Sequence, residues 1–294
     1  MYDVIIIGKG PAGISASLYT TRGNLKTLIF ARGESEVVKS AKIDNYYGFA
    51  EPVSGRELVE AGEKQALRLG AEIIEAEVVA LKYDKTFTVE TSKEKYEAKA
   101  VILATGQSRK KINIANLTNF EGKGVAYCST CDGFFYKDLA IGVLGYKDYA
   151  MHEATELETY SHNITIFTNG ESLQVSDKYI KDVERFAVNT KKIIKLDGEE
   201  FLQRIYFEDG THESIDGLFI AYGSASSASF ARQLGVIAEG DALVVDENQM
   251  TNLEGLFAAG DCTTGLKQIA VAVGEGALAG KKAMDYIKSL KQTD

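Results

Sequence analysis

The sequence predicts an α/β protein with two dinucleotide-binding (Rossmann-like) domains, the second inserted into the first. The chain opens with strand, glycine turn, helix and strand in "YDVIIIGKGPAGISASLYTTRGNLKTLIFA", and the same order returns from "LAIGVLGY" to "NITIFTN". Segments typical of the first fold lie near both ends of the chain, so the middle is the insertion. We expect one domain over 1–113 plus 240–294 and the other over 114–239.

The first glycine turn has the pattern expected of a diphosphate site. The predicted site comprises Gly8, Gly10, Pro11, Ala12 and Gly13. Gly8 permits a tight turn, Gly10 lets the backbone approach a pyrophosphate, and Gly13 lets the helix pack closely on the strand. The helix N-terminus adds amides and a positive dipole. The alternative is a glycine-rich turn without a ligand. No ribose-binding acid is obvious after the second strand, where Glu34 is a candidate.

Two later segments resemble the FAD signatures of flavoproteins that contain two dinucleotide folds. These are "AVILATGQS" at 100–108 and "LEGLFAAGDCTTGLKQIAVAVGEGALAG" at 253–280. The resemblance implies that Asp261 binds the ribityl or pyrophosphate region and that 268–270 lie along the isoalloxazine ring. The candidate FAD-binding residues here are Thr105, Gly106, Gly260, Asp261, Gln268, Ile269 and Ala270. The alternative for 255–261 is a core strand with a polar end.

A pair of cysteines precedes the inserted fold in "GVAYCSTCDGFFYKD". Cys128 and Cys131 are spaced so that the first turn of a helix can bring the thiols together, and a helix N-terminus favours the thiolate. Asp132 is positioned to exchange the proton that thiol chemistry requires. The alternative is a buried structural pair. With only three cysteines and three scattered histidines, no zinc site is expected.

At these motifs the chain resembles the low-molecular-weight thioredoxin reductases almost end to end. The shared motifs are GxGPAG at 8–13, "DNYYGF" at 44–49, ATG at 104–106, CxTCDGFFY at 128–136 and GLFAAGD at 255–261. The resemblance implies FAD, a homodimer, thioredoxin as substrate and an inserted domain that reorients during turnover. It also implies that Cys131 is the sulfur nearest the flavin, Cys128 its partner and Asp132 the acid, with Asn45 near the flavin. The third cysteine, Cys262, is expected to be buried.

The second glycine turn departs from the pattern of the members that use NADPH. Tyr146 and Lys147 follow Gly145, and Lys147 replaces the usual second glycine. Its side chain should obstruct a pyrophosphate. After the strand "NITIFT" no arginine precedes Arg185, so no cation is offered to a 2′-phosphate. The chain therefore resembles the ferredoxin-dependent flavin thioredoxin reductases, a nicotinamide-independent branch found in anaerobic settings.

That branch implies that reduced ferredoxin, or flavodoxin, delivers electrons through FAD to the Cys128–Cys131 disulfide and so to thioredoxin. Three alternatives stay open. One is a reductase that uses NADPH, or NADH with Glu171 on a ribose hydroxyl. Another is an FAD dithiol oxidase that uses oxygen. The third is a redox-sensing or structural flavoprotein without catalysis.

The remaining features of the sequence are those of an ordinary globular chain. The net charge of −9 argues against general nucleic-acid binding. Apolar runs are of strand length, and no basic or hydrophobic leader is evident, so we expect a cytoplasmic protein without membrane or metal. An acidic ferredoxin would need a basic patch, for which the candidates are Arg109-Lys110-Lys111, Lys191-Lys192 and Lys281-Lys282.

Overall fold

The computed structural model describes residues 1–107 and 112–293. Its strands are β1 (Tyr2–Ile7), β2 (Thr27–Ala31), β3 (Glu72–Glu75), β4 (Val78–Asp84), β5 (Thr86–Thr91), β6 (Lys95–Leu103), β7 (Val125–Ala126), β8 (Ile141–Leu144), β9 (Ile164–Phe167), β10 (Ala187–Asn189), β11 (Ile193–Asp197), β12 (Arg204–Phe207), β13 (His212–Ser214), β14 (Gly217–Ile220), β15 (Ala238–Glu239), β16 (Ala242–Leu243) and β17 (Leu256–Ala258). Its α-helices are α1 (Pro11–Arg22), α2 (Gly55–Arg68), α3 (Ser129–Asp132), α4 (Asp148–Leu157), α5 (Asp177–Val183), α6 (Ser227–Leu234) and α7 (Ile269–Thr293).

The chain forms two compact units and divides after residue 108 and again after residue 225. Both ends of the chain make one unit and the middle makes the other. The segment 226–239, which the sequence assigned to the insertion, lies in the first unit because α6 packs on β4. The amide of Leu81 in β4 also donates to Gln233 Oε1 of α6 at 3.2 Å. At the other boundary, Ile112 packs on the core of the second unit.

The first unit contains a seven-stranded sheet. Six of its strands follow the order β3-β2-β1-β6-β5-β4, and the seventh, β17, pairs with β6. The long strand β6 serves two functions: its first half pairs with β5 in antiparallel fashion, and its second half pairs with β17 in parallel. Strands β1, β2, β3, β17 and the second half of β6 therefore run in parallel. Their carboxyl ends meet along one edge, which is where ligands of such sheets bind.

The second unit has a parallel five-stranded sheet in the order β10-β9-β8-β14-β7. A separate antiparallel sheet, β11-β12-β13, adjoins it along the chain. Buried apolar side chains form two clusters in this unit, one of which includes α4 residues Tyr149, Ala150, Ala154 and Leu157. The last three of these residues are spaced so that they lie on one face of α4, which packs into this core.

Helices α1 and α7 pack in unusually close contact. A Cβ on Gly276 would collide with the carbonyl oxygen of Ala12, and one on Gly280 with that of Ala16. Ser15 Oγ of α1 also donates to the Val273 carbonyl of α7 at 2.7 Å. The small residues of α7 therefore let the last helix of the first unit lie against the helix that follows the first glycine turn.

The predicted class of two Rossmann-like folds in an α/β chain is confirmed: each unit has a sheet with neighbouring parallel strands, and the second unit is inserted between the two segments of the first. Across 1–107 and 112–293, no helix combines the length and hydrophobicity needed to cross a bilayer.

Candidate functional site

The first glycine turn leaves open space above Gly10. Gly8 has φ +119°, and a Cβ there would collide with the Ala104 carbonyl, while a Cβ on Gly13 would collide with the carbonyl of Gly8. By contrast, the nearest atom to a Cβ on Gly10 is Ser35 Oγ at 3.6 Å. Helix α1 begins at Pro11, and no described side chain caps it. Two glycines thus fix the backbone, and the third leaves room for a diphosphate at an open helix N-terminus.

The other predicted contacts of the nucleotide follow neighbouring strands. Leu103 in β6 pairs with Ile7 in β1 and with Ala258 in β17. Thr105 and Gly106 come just after β6, and Gly260 and Asp261 just after β17. The structure therefore brings these residues to the edge of the sheet where Gly8–Gly13 lie.

Two residues that the sequence did not single out hold these loops. Ser227 at the start of α6 is buried, and its Oγ lies 2.7 Å from Thr105 Oγ1. Glu275 of α7 accepts from the Gly260 amide at 2.7 Å and from Thr263 Oγ1 at 3.1 Å. The Thr105–Ser227 contact joins residues 122 positions apart in the chain, and no sequence motif predicts either contact.

Asn45 and the start of α7 are brought together. The amide nitrogen Nδ2 of Asn45 donates to Gln268 Oε1 at 3.0 Å. Gln268 and Ala270 are exposed, and Ile269 is the first residue of α7. All the predicted FAD contacts thus lie in the first unit, and the absence of any clash at Gly10 with the described residues and the exposed side-chain amides of Asn45 and Gln268 fit a large dinucleotide.

The candidate ribose acid, Glu34, takes part in a surface ion pair. Glu34 pairs with Arg56 at 2.8 Å, and both side chains are more than half exposed. Hydrogen bonding to Arg56 lowers the pKa of the Glu34 carboxyl. The residue directly after β2 is Arg32, which pairs with the buried Glu77. The role of Glu34 as a ribose acid stays a prediction, and its pairing with Arg56 was not evident from the sequence.

The two cysteines of the second unit form a disulfide. Cys128 and Cys131 are bonded, with Cα atoms 5.3 Å apart. Cys128 is 2% exposed and precedes α3, while Cys131 lies on the surface. The Cys131 amide donates to Cys128 Sγ at 3.1 Å. Burial of one sulfur and exposure of the other make the pair chemically unequal.

Asp132 is the carboxyl group that follows the disulfide. Burial raises its pKa above the ordinary value, so it keeps its proton to higher pH than an exposed aspartate. Burial and the nearby Asp132 both raise the pKa of Tyr136. Phe134 and Phe135, between them, are 71% and 73% exposed. An acid that retains a proton beside a disulfide is suited to protonating a leaving thiolate.

A buried carboxylate that the sequence did not reveal lies behind the disulfide. Glu153 of α4 is 2% exposed, and its Oε2 accepts from the Ser129 amide at 2.9 Å. Helices α3 and α4 pack against each other, and a Cβ on Gly133 would collide with the ring of Tyr160 just after α4. The "HEA" stretch of α4 gave no sign of this contact.

The second glycine turn is filled by aromatic rings. Tyr146 is 3% exposed, and its ring packs edge-to-face on that of Tyr222 at a centroid distance of 5.2 Å. Tyr222 Oη donates to Glu171 Oε1 at 3.4 Å. Lys147 directly precedes α4, and its Nζ lies 5.3 Å from the Tyr146 ring.

The segment after β9 is tied to this turn. The Gln174 amide donates to the Tyr146 carbonyl at 2.7 Å, and the Ser176 amide donates to Asp148 Oδ1 at 2.7 Å. The two predicted departures from a nucleotide site, one in the glycine turn and one after β9, are therefore parts of one packed cluster.

The remaining residues predicted from the sequence are the basic runs and the third cysteine. Lys191 and Lys192 pair with Asp209 and Glu208, and Lys281 pairs with Asp285, so their charge is locally balanced. The run Arg109-Lys110-Lys111 lies outside the described residues. Cys262 is buried, as expected, and burial raises the pKa of its thiol. Among the described residues no cluster of three potential metal ligands is present.

Comparison with known proteins gives consistent matches over nearly the whole chain. The family model for pyridine nucleotide-disulphide oxidoreductases matches residues 2–276. A thioredoxin reductase of Listeria innocua is 36% identical over 306 residues, which covers 99% of this chain and 96% of that protein. The crystal structure of the atypical thioredoxin reductase TRi from Desulfovibrio vulgaris Hildenborough is 44% identical with a TM-score of 0.95, and the match covers 98% of this chain and 99% of that one. A ferredoxin-flavin thioredoxin reductase from Clostridium acetobutylicum is 28% identical with a TM-score of 0.72, covering 99% of this chain and 98% of that one.

Proposed function

This chain belongs to the pyridine nucleotide-disulphide oxidoreductase family, as a thioredoxin reductase, and we propose that reduced ferredoxin rather than a pyridine nucleotide supplies its electrons. Proteins of this kind are FAD-binding flavoproteins, and thioredoxin is the substrate that the family implies. The finer proposal concerns the donor and the residues that carry the electrons.

The observation that carries the proposal is the Tyr146–Tyr222–Glu171 cluster. A pyrophosphate needs the backbone of a glycine turn to be bare, but here a buried phenol ring and a lysine follow Gly145. A 2′-phosphate needs cationic side chains after the next strand, β9. Here the carboxylate of Glu171 follows β9 and accepts a hydrogen bond from the Tyr222 hydroxyl. Both parts of a nicotinamide nucleotide therefore meet groups that disfavour it.

The similarity to a ferredoxin-flavin thioredoxin reductase of Clostridium acetobutylicum supports the same donor. When bound, FAD can take up electrons singly and deliver a pair to a disulfide, which suits a one-electron protein donor. The residues we assign to FAD are Gly8, Gly10, Pro11, Ala12, Gly13, Asn45, Thr105, Gly106, Gly260, Asp261, Gln268, Ile269 and Ala270.

We assign the catalytic work of the second unit to Cys128, Cys131 and Asp132. After reduction of the disulfide, one thiolate attacks the disulfide of thioredoxin, and the resulting mixed disulfide is resolved by the second thiol. Asp132, whose pKa is raised by burial, holds the proton that the departing thiolate receives. We further propose a homodimer, with the FAD-binding role in the first unit and the dithiol in the second.

The decisive experiment is an anaerobic assay of thioredoxin reduction with photoreduced ferredoxin, NADPH or NADH as the sole donor. We expect turnover with ferredoxin and at most slow flavin bleaching with either nucleotide. A Cys128→Ser variant should keep ferredoxin-driven flavin reduction but lose thioredoxin reduction, which separates the two half-reactions. Rapid bleaching by NADPH, followed by thioredoxin reduction, would overturn the proposed donor. Oxygen consumption with a small dithiol, without thioredoxin reduction, would indicate a dithiol oxidase.

A further inference from the structure

The buried carboxylate of Glu153 has no role in the function proposed above. It lies on α4, is 2% exposed, and accepts a hydrogen bond of 2.9 Å from the Ser129 amide. That amide nitrogen is bonded directly to the carbonyl carbon of Cys128, the buried sulfur of the disulfide. The hydrogen bond from this amide favours the ionised form of the Glu153 carboxyl group, which places a negative charge beside the turn that holds Cys128.

The backbone amides of Ser129 and Cys131, which follow Cys128 in the chain, donate to different acceptors. The Cys131 amide donates to the sulfur at 3.1 Å, an interaction that favours negative charge on Sγ after reduction. The Ser129 amide donates to Glu153 instead. One donor thus stabilises a thiolate at Cys128, while a carboxylate close by opposes it, because like charges in a buried site repel.

Other titratable groups face the same turn. Asp132 lies on α3 itself, and Tyr136 lies in the turn that follows and responds to the charge of Asp132. From α4 and its end come His152, which is buried, and Tyr160, whose ring touches Gly133. Of these groups, Glu153 is the acid whose carboxylate hydrogen-bonds to the backbone next to Cys128.

We propose that Glu153 is a positioning residue for the dithiol: its carboxylate fixes the Cys128 turn against α4 and opposes negative charge on Cys128 Sγ. The effect is to keep Cys128 as a thiol until the disulfide exchange needs it. This role rests on the proposed function of the dithiol, but it concerns a property of the thiol that is measured without donor or substrate.

The test uses a Cys131→Ser background, in which Cys128 is a free thiol, and follows alkylation by iodoacetamide against pH. Both remaining cysteines are buried, so mass spectrometry assigns the label to Cys128 or Cys262, and only the midpoint of Cys128 is used. Glu153→Gln keeps an oxygen that can accept from Ser129 but removes the charge. We expect the alkylation midpoint to fall by about one pH unit, a tenfold rise in thiolate below the midpoint.

Two controls separate charge from structure. Glu156→Gln removes the same charge one turn away on α4 and should leave the midpoint unchanged. Glu153→Asp keeps the charge on a shorter side chain and should shift the midpoint less than Glu153→Gln does. With both cysteines present, Glu153→Gln should move the equilibrium with a reference dithiol about tenfold toward the reduced pair at alkaline pH, or about 30 mV.

The proposal is overturned if Glu153→Gln leaves the midpoint where it is, or if Glu156→Gln lowers it by the same amount. It is also overturned if Glu153→Asp and Glu153→Gln give equal shifts, since geometry alone would then explain the contact. A failure of ferredoxin to reduce the flavin would not move any of these midpoints, so the two proposals fail separately.

Discussion

Asn45 Nδ2 donates to Gln268 Oε1 at 3.0 Å and so joins two segments that are 223 residues apart in the chain. One segment is the aromatic loop "DNYYGF", and the other leads into α7. Both residues are exposed, and both are proposed to lie against the isoalloxazine ring. The hydrogen bond therefore forms part of the surface onto which the ring would dock.

This pair should show coupled effects on FAD affinity. We expect Asn45→Ala and Gln268→Ala each to weaken FAD binding. The double variant should bind FAD more weakly than either single variant, but its loss of binding free energy should be smaller than the sum of the two single losses. A coupling of about 1 kcal/mol, roughly a fivefold change in Kd, is typical of one neutral hydrogen bond. Fluorescence titration of the apoproteins with FAD measures the Kd of the wild type, the two single variants and the double variant. Strict additivity would mean that the two amides act independently.

The close packing of α1 and α7 predicts opposite effects for two neighbouring glycines. Gly276→Ala drives a methyl group into the Ala12 carbonyl and should destabilise the fold by about 2 kcal/mol or more. It should also reduce the FAD content of the purified protein. In Gly274→Ala, no atom lies within 4 Å of the new methyl group, so helix propensity should stabilise α7 by up to about 1 kcal/mol. Thermal unfolding and the flavin absorbance per chain report both effects.

The raised pKa of Asp132 predicts that the rate of thioredoxin reduction depends on pH. Because burial disfavours the ionised form, the carboxyl group supplies a proton up to a higher pH than an ordinary aspartate, and the rate should fall as pH rises through that pKa. Asp132→Asn cannot donate an acidic proton, so it should be slower by about a hundredfold or more at low pH and lose this fall in rate. Rates measured across pH with reduced ferredoxin in excess provide the check. An unchanged profile in Asp132→Asn would assign the acid elsewhere.

The ring of Tyr146 should contribute strongly to stability. Tyr146→Ala leaves a cavity beside Tyr222 and should cost about 3 kcal/mol or more in the free energy of unfolding, as for other buried aromatic residues. Tyr47→Ala is the matched control, because that ring is 97% exposed and its removal should change stability by less than about 0.5 kcal/mol. Chemical denaturation of the two variants measures the difference. Similar small losses would mean that Tyr146 does not fill the turn as described.

The parts of the molecule that the sequence predicted well are those whose chemistry is local. The glycines at 8, 10 and 13 and the pair Cys128–Cys131 lie within a few residues of one another, so their spacing carries the geometry. The replacement of the usual second glycine by Lys147 could also be seen in the sequence, and the structure shows Tyr146 buried beside it. The partner of Tyr146, Tyr222, 76 positions away, was not visible.

The failures share one cause, which is contact between distant segments. The boundary near 239 was misplaced because α6 belongs with β4 through packing that no composition change marks. Ser227 was missed because its partner lies 122 positions away in the chain. Glu275 and Glu153 were missed because their partners, 15 and 24 positions away, lie outside the helix that carries each of them.

The close packing of α1 against Gly276 and Gly280 of α7 has a consequence for biosynthesis. The helix that follows the first glycine turn gains its proper neighbour only when α7 has been translated, after the whole second unit has already emerged from the ribosome. The first glycine turn therefore reaches its final packing only after the last helix has been made, whereas the sequence of the dithiol unit is complete before that point.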